Sequence, residues 1–219
     1  MSKFNHASTL QEERDPCLTK NETYENIMNA AEATLRYKNP EDISTTDLIL
    51  LTGYPEELIS DHFSNINMAI TALAERHTNL FCESVDQVIP PNSINNWKDI
   101  TSLLFDICFL YYKNHESALK LHYGPQLSRA QSKQQLKRNS SFSRIILNAI
   151  SRNFDIPYRQ EYLATFWLAV TVYDCFCSLS FSISENISKD SSDKGKSAAI
   201  AYIEKTLGKE IDEEIKQKP

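Results

Sequence analysis

A short segment near the N-terminus, ISTTDLILLTGYPEELISDHF at 43–63, carries polar side chains in a pattern that suits contact with DNA. Gly53 separates two short runs in which apolar residues recur at helical spacing, the layout of a helix-turn-helix. Hydroxyl groups and helix N-termini bind phosphate, and a carboxylate such as Glu56 or Asp61 can accept a hydrogen bond from cytosine. The candidate DNA-binding residues are Ser44, Thr45, Thr46, Tyr54, Glu56, Ser60, His62 and Asn65.

The charge of this region has the wrong sign for phosphate binding. Residues 1–80 contain 6 basic and 13 acidic residues, and the second helix of the motif has Glu56, Glu57 and Asp61 but neither lysine nor arginine. The cations of the N-terminal arm at 1–22 are Lys3, Arg14 and Lys20. They can form a flexible arm in the minor groove. Two interpretations stay open: an acidic helix that reads bases, or a domain that has kept the fold and lost tight DNA binding.

The second half of the chain is rich in aromatic residues, which is typical of a site for a small apolar or amphipathic ligand. The candidate ligand-binding residues are Phe105, Phe109, Tyr112, Tyr123, Phe142, Phe166, Trp167 and Tyr173. The polar groups of such a site would come from Asp106, Asp174, His115 and His122. An ordinary packed core is the alternative, and it accounts for most of these residues.

Neither a metal site nor an enzyme is predicted. Cys175 and Cys177 point in different directions on a helix, and His115 and His122 lack a second ligand set. The common nucleophile, phosphate-binding, dinucleotide and zinc-protease motifs do not occur, so no cofactor is predicted. The five scattered cysteines favour reduced thiols in a cytoplasmic protein.

The elements that position these residues are all predicted helices. The first begins at Thr23 and ends before Pro40. The second is 45–52, with Leu48, Ile49 and Leu51 facing inward, and Gly53 ends it. The remaining helices are expected at 55–63, 67–83, 97–115, 128–152, 158–187 and 197–207, with a short helix and turn within 115–125.

The predicted organisation has four parts, which are a flexible arm at 1–22, a helix-turn-helix domain at 23–85, a ligand-binding and dimerisation domain at 86–208, and a loose tail at 209–219. Residues 188–197 read as a polar loop. The apolar stretch 165–183 contains Asp174, which is costly in a bilayer, so we expect a helix buried in protein. The polar N-terminal stretch has no signal-peptide core.

The helix at 128–152 is predicted to be basic on its exterior. Its cations are Arg129, Lys133, Lys137, Arg138, Arg144 and Arg152, with no acidic residue among them. A solvated face is the default interpretation of such a run. Binding of an anionic ligand and pairing with the acidic first domain are the alternatives.

Residues 24–73 resemble the N-terminal domain of the TetR family of transcriptional regulators without a gap. The shared positions are Ile27, Ala30, Ala31, Leu35, the run ISTTDL, Leu48, Gly53 and Phe63. Where the family usually has a small residue followed by threonine, leucine and tyrosine, this chain has Glu57, Leu58, Ile59 and Ser60. His62 replaces a tyrosine, and Ile66 replaces a lysine that touches phosphate. The scaffold positions are therefore kept, and most DNA-facing positions are changed.

The resemblance implies an all-α homodimer that binds a palindromic operator in double-stranded DNA and acts as a ligand-responsive repressor. The two copies would join through the helices at 158–187 and 197–207. A small effector in the second domain would then weaken DNA binding. The alternative is a degenerate helix-turn-helix protein that serves as a ligand sensor or protein-interaction module. In that case His62 is a packed histidine beside Phe63.

Overall fold

The computed structural model describes residues 19–86, 88–91, 93–124 and 129–216. Within these ranges the chain forms α-helices, one short 3-10 turn at Pro40–Asp42, and no strand. The helices are α1 Lys20–Thr34, α2 Thr45–Thr52, α3 Glu56–His62, α4 Ile66–Asp86, α5 Trp97–Asn114, α6 Glu116–Tyr123, α7 Arg129–Phe154, α8 Gln160–Ser184 and α9 Lys189–Lys216. The predicted all-α class is confirmed.

Capping side chains set the start of both N-terminal helices. The hydroxyl of Thr19 accepts from the Glu22 amide while the Glu22 carboxylate accepts from the Thr19 amide, a capping box. The predicted start at Thr23 is therefore wrong by one turn, and residues 20–22 of the predicted arm are helical. The rest of that arm, with Lys3 and Arg14, lies outside the described residues.

The helix-turn-helix has the predicted turn. Ser44 and Asp47 form a second capping box at the start of α2, and Gly53 ends α2 with φ at +70°. Pro55 precedes the first turn of α3. One orientation differs from expectation: Leu51 is 57% exposed, because the short α2 buries only Leu48 fully against its neighbours.

Two apolar cores lie along the chain. The head, residues 19–73, is built around Ile27, Ala31, Leu48, Ile59 and Phe63. The larger domain packs α5, α7, α8 and α9 around a second core. Helix α4 belongs to both, since Ile70 and Leu73 lie in the first core and Phe81 and Val85 in the second. A rotation of α4 would therefore move the head.

Helix α6 makes a second connection between the head and the larger domain. Leu121 packs in the core of the head, although α6 belongs to the second half of the chain. One residue earlier, the Lys120 ammonium donates a 2.7 Å hydrogen bond to the carbonyl of Leu35 at the end of α1.

The C-terminal region corrects two expectations. Residues 189–216 form one helix, so the predicted loop at 188–197 is wrong, and the predicted loose tail is helical up to Lys216. Residues 217–219 lie outside the described part. Gly195 has a packing role here, since a Cβ at this position would lie 2.9 Å from the Cβ of Phe176 on α8. The glycine permits close contact between α8 and α9.

Candidate functional site

The reading face, defined as the exposed side of α2 and α3, presents short polar side chains. Ser44, Thr46, Glu56, Ser60 and Asn65 are exposed. Thr45, Tyr54 and His62 are half-buried. Of the eight predicted DNA-binding residues, the structure brings Thr45, Glu56, Ser60 and Asn65 together, since these four line one surface pocket.

Several of these residues also support the local fold. Tyr54 accepts a 2.8 Å hydrogen bond from the Asn26 side chain, which ties the turn to α1. The Asn65 side chain accepts from the Met68 amide at the start of α4. His62 lies beside Tyr24, with ring centroids 6.3 Å apart. The packed position of His62 is compatible with either interpretation of this residue.

Acidic residues dominate the charge of the reading face. Glu56, Glu57 and Asp61 on α3 are all exposed. The nearby cation Lys38 lies 2.8 Å from Asp47. Its hydrogen bond, with those from Ser44, lowers the pKa of Asp47 to about 2. Phosphate binding on this face must therefore rely on hydroxyl groups and helix N-termini.

A second cation of the head, Arg76 on α4, is also paired with acids. Its guanidinium lies 3.2 Å from the carboxylate of Glu25 and 3.9 Å from that of Glu32 on α1. It also donates a 3.1 Å hydrogen bond to the Asn29 side chain. Arg76 therefore holds α1 against α4 instead of contributing a free charge to the head.

A buried ion pair occupies the centre of the larger domain. Arg138 on α7 is 0% exposed, and its Nη1 donates hydrogen bonds of 3.0 Å to both carboxylate oxygens of Asp174 on α8. Tyr123 donates to the same carboxylate at 2.9 Å, and the Nε2 of His122 lies 3.4 Å from it. Burial would raise the pKa of Asp174, but Arg138 and these partners hold it well below its usual range.

Aromatic rings surround the guanidinium of Arg138. Its carbon lies 5.3 Å from the ring centroid of Phe81, 5.2 Å from Tyr112 and 5.6 Å from Phe142. Its Nη2 donates to the sulfur of Cys108 at 3.0 Å. These contacts stabilise a cation that burial would otherwise disfavour.

The position of Arg138 contradicts the predicted basic exterior of α7, because its side chain faces inward. Its neighbours on the helix, Phe142 and Ile145, continue the same buried stripe. The sequence signal for a buried cation was Asp174, because a carboxylate in the middle of an apolar helix needs a buried positive charge beside it. Elsewhere on α7, Lys137 pairs with Glu75 and Arg152 lies near Asp86 of α4. Part of the run does pair with acids of α4.

Most of the predicted ligand-binding residues form the packed core. Phe105, Phe109, Tyr112, Tyr123, Phe142, Phe166 and Tyr173 are buried. Trp167 is half-buried on α8. Of the predicted polar groups, Asp174 and His122 lie together in the core, whereas Asp106 pairs with Lys189 and Lys196 at the surface.

One small cavity lies beside this core. It has a volume of about 20 Å³ and is bounded by α4, α5, α6 and α7. Tyr112, His122, His77 and Gln134 form part of its wall. A space of this size holds about one water molecule. A drug-sized molecule would fit this cavity only if the surrounding helices moved.

Helix α8 has an exposed apolar stripe on the side away from the core. Leu168, Leu179 and Ile183 are exposed, with Cys175 between them at helical spacing. By length and composition α8 could cross a membrane. However, its Asp174 is paired inside the protein, and α8 packs against α7 and α9. Such a helix also suits the core of a globular domain.

Within the described residues, no group of three or more histidine, cysteine, aspartate or glutamate side chains is placed to hold a metal ion. His115 is exposed just after α5, where its Nδ1 lies 2.8 Å from the Tyr111 carbonyl. His122 contacts Asp174 instead, so the two histidines have separate environments.

These features define an all-α protein with a helix-turn-helix head on a larger helical domain. No protein-family model and no curated protein matches the chain. Among solved structures, a TetR-family transcriptional regulator from Streptomyces coelicolor has a TM-score of 0.65 and 17% identity, covering 86% of this chain and 99% of its own. A second TetR transcriptional regulator, from Rhodococcus sp. RHA1, has a TM-score of 0.64 and 13% identity. The match covers 85% of this chain and 97% of that protein. The chain therefore has the fold of TetR-family regulators over most of its length.

Proposed function

We propose that the protein is a TetR-like transcriptional regulator that binds a palindromic site in double-stranded DNA as a homodimer and responds to a small effector. The observation that carries this proposal is the complete helix-turn-helix, with both capping boxes, the αL glycine and exposed polar side chains on α2 and α3. Regulation in the cytoplasm, repression and the absence of enzymatic activity belong to the same proposal.

The apolar stripe of α8 supports the dimer. Leu179 is 63% exposed and Ile183 is 78% exposed, which is unfavourable for a lone chain in water. A second copy of α8 and α9, related by a twofold axis, would cover this stripe and place two heads on the same side. Two heads at a fixed separation suit two half-sites of a palindrome.

Helix α4 supports the response to an effector. Its first half lies in the core of the head, and its second half lies in the core of the larger domain. An effector that displaces α4 would change the separation of the two heads, and DNA and effector would then weaken each other by the same factor.

The acidic reading face favours a second candidate function, in which the head has lost tight DNA binding. Glu56, Glu57 and Asp61 are exposed, while Lys38 and Arg76 are already paired with acids. Such a protein would act as a ligand sensor or a protein-interaction module. Its head would repel phosphate instead of binding it.

The deciding experiment is selection of genomic fragments from the source organism, including DNA upstream of the protein's own gene, at low and at near-physiological salt. Recovery of one palindromic sequence at both salt concentrations supports the regulator. Recovery of no sequence at either, from a folded dimer without added ligand, supports the degenerate head. Ser60→Ala and His62→Ala should weaken the selected complex, and Ser102→Ala on α5, away from the reading face and from the stripe of α8, is the matched control.

A further inference from the structure

A surface groove runs between α1 and α4, and it is separate from the sites described so far. Its volume is about 350 Å³, and residues 24–28 of α1 and 72–83 of α4 supply its lining. It shares no lining residue with the small cavity beside Tyr112 and His122, and none of the eight candidate DNA-binding residues lines it. The groove is therefore a further surface of the head, distinct from the reading face.

Apolar side chains form part of the wall of this groove on both sides. Tyr24 and Met28 come from α1, and Ala72 and Leu80 come from α4. Leu80 is 47% exposed, while Tyr24 and Ala72 are half-buried. A single exposed leucine is ordinary on a protein surface, but one that lies in a groove beside further apolar wall provides area that a partner can cover.

The charged residues that line the groove give it an excess of negative charge. They are three carboxylates, Glu25, Glu75 and Glu83, and one guanidinium, Arg76. Arg76 is already paired with Glu25, and Glu75 contacts Lys137 of α7. Glu83 is exposed and forms no ion pair within the described part of the chain. Because exposed ion pairs are weak, the paired carboxylates can still accept from another cation, and the groove favours a positively charged partner.

The length of the groove suits a helix. Ala72 and Glu83 lie 11 positions apart on α4, which is about 16 Å along the helix axis, or three turns. A helix that binds in a groove presents apolar side chains at helical spacing on one face and charged side chains at its edges. Glu83 follows Leu80 by less than one turn, so an apolar contact and a charged contact lie close together. Nucleic acids and anionic membranes are disfavoured, because the carboxylates repel phosphate.

We infer that the groove between α1 and α4 binds a basic amphipathic helix of a partner protein. An apolar side chain of that helix would pack on Leu80 and Tyr24, and a lysine or arginine would donate to Glu83. The bound helix would contact both α1 and α4, and so add to the contact that Arg76 makes between them. This inference goes beyond the proposed function, because it adds a protein partner at a surface that the reading face does not use.

The test uses a labelled peptide of leucine and lysine, roughly 14 residues or four turns long, with its leucines on one helical face. Its control peptide has glutamate in place of each lysine. Fluorescence anisotropy measures the affinity of both peptides for the full-length protein, without DNA and at near-physiological salt. We expect the lysine peptide to bind at least about tenfold more tightly, since only its charge complements the groove. Equal affinity of the two peptides, or no binding of the lysine peptide, would overturn the inference.

Two double variants locate the binding of the lysine peptide. Leu80→Gln with Glu83→Gln removes the apolar and the charged contact, and should weaken binding by about tenfold. Leu110→Gln with Glu161→Gln is the matched control, because it makes the same two changes at exposed positions of α5 and α8 and should retain the affinity. Equal losses in both would show that the net charge of the chain drives binding, and would contradict the inference. If a double variant fails to fold, Glu83→Gln alone should still bind more weakly than Glu161→Gln alone, and equal affinity of these two would contradict it as well.

Competition with octylamine separates a partner helix from a small organic cation. Octylamine offers one ammonium and one apolar chain, whereas the peptide covers the length of the groove. We expect octylamine to displace the lysine peptide only at concentrations at least about a hundredfold above the Kd of the peptide. Displacement at concentrations close to that Kd would assign a small cation to the groove and overturn the partner protein. Because no DNA is present, failure here is distinct from failure of the genomic selection.

Discussion

The guanidinium of Arg138 and the carboxylate of Asp174 meet inside the larger domain, with one nitrogen 3.0 Å from each carboxylate oxygen. The pair joins α7 to α8, and the contact of Arg138 with Cys108 adds α5. Both charges are buried, so each depends on the other for compensation. These contacts therefore link three helices of the larger domain, α5, α7 and α8.

Removing one member of this pair should destabilise the protein strongly. Asp174→Asn and Arg138→Met each leave an uncompensated buried charge, at a cost of about 3–5 kcal/mol. The double variant Arg138→Met with Asp174→Leu removes both charges and should recover most of that loss. Urea unfolding of the three variants measures the difference. Lys137→Met, an exposed cation on the same helix, should change the unfolding free energy by less than about 1 kcal/mol. Additive losses in the double variant would contradict this account.

The helices were predictable from sequence because apolar spacing, caps and Gly53 act locally. The inward position of Arg138 could not be predicted in this way. A charged side chain favours the surface, and Arg138 is buried only because the fold brings Asp174 next to it. The sequence wrongly predicted a loop at Gly195 for a related reason. Its role depends on Phe176, which lies on another helix. The eight candidate DNA-binding residues follow from the local motif, whereas the cavity beside Tyr112 and His122 forms only where four helices meet.

Acidification should destabilise the protein through two histidines. Burial lowers the pKa values of His77 and His122, so the unfolded chain binds protons more readily than the folded protein. Their contribution to stability is complete above pH 6.5 and is lost as pH falls below 6.5, by up to about 1.4 kcal/mol per pH unit for each ring. Unfolding by urea at pH 7.5, 6.5 and 5.5 measures this slope. His77→Gln with His122→Gln should flatten it, and His62→Gln is the control. An unchanged slope in the double variant would contradict the assignment.

Neutralising the reading face should strengthen DNA binding. The triple variant Glu56→Gln, Glu57→Gln and Asp61→Asn removes three exposed carboxylates from α3. Because like charges repel phosphate, we expect roughly tenfold tighter binding to non-specific DNA at low salt. Fluorescence anisotropy with a labelled duplex across a salt series measures the change. The matched control, Glu161→Gln with Glu185→Gln and Glu213→Gln, alters the net charge equally but lies on the larger domain. Equal gains in both triple variants would show that net charge, not the face, controls affinity.

The turn of the helix-turn-helix should tolerate asparagine better than alanine. Gly53 has φ at +70°, and nothing lies within 4 Å of a Cβ built there, so any cost comes from backbone conformation. Gly53→Ala should lose about 1 kcal/mol, and Gly53→Asn should lose less because asparagine adopts this conformation more readily. Gly208→Ala in α9 is the control, and it should stabilise the protein. An added Cβ meets only ordinary contacts there, and alanine favours a helix more than glycine does. Thermal unfolding ranks the three variants. A Gly53→Ala variant as stable as the parent would contradict the strained turn.

The exposed stripe of α8 gives the most direct test of the proposed homodimer. Leu179→Arg places a charge at a position that is 63% exposed in one chain and would be buried against a second copy. Burying that charge without a partner costs several kcal/mol, so the variant should be monomeric at micromolar concentration. Leu110→Arg is the matched control, because Leu110 is 51% exposed on α5, outside the stripe. Sedimentation velocity should show the parent and Leu110→Arg as dimers and Leu179→Arg as a monomer with unchanged helical circular dichroism. A Leu179→Arg dimer would place the interface elsewhere, and the two reading heads would then need a different arrangement to reach a palindrome.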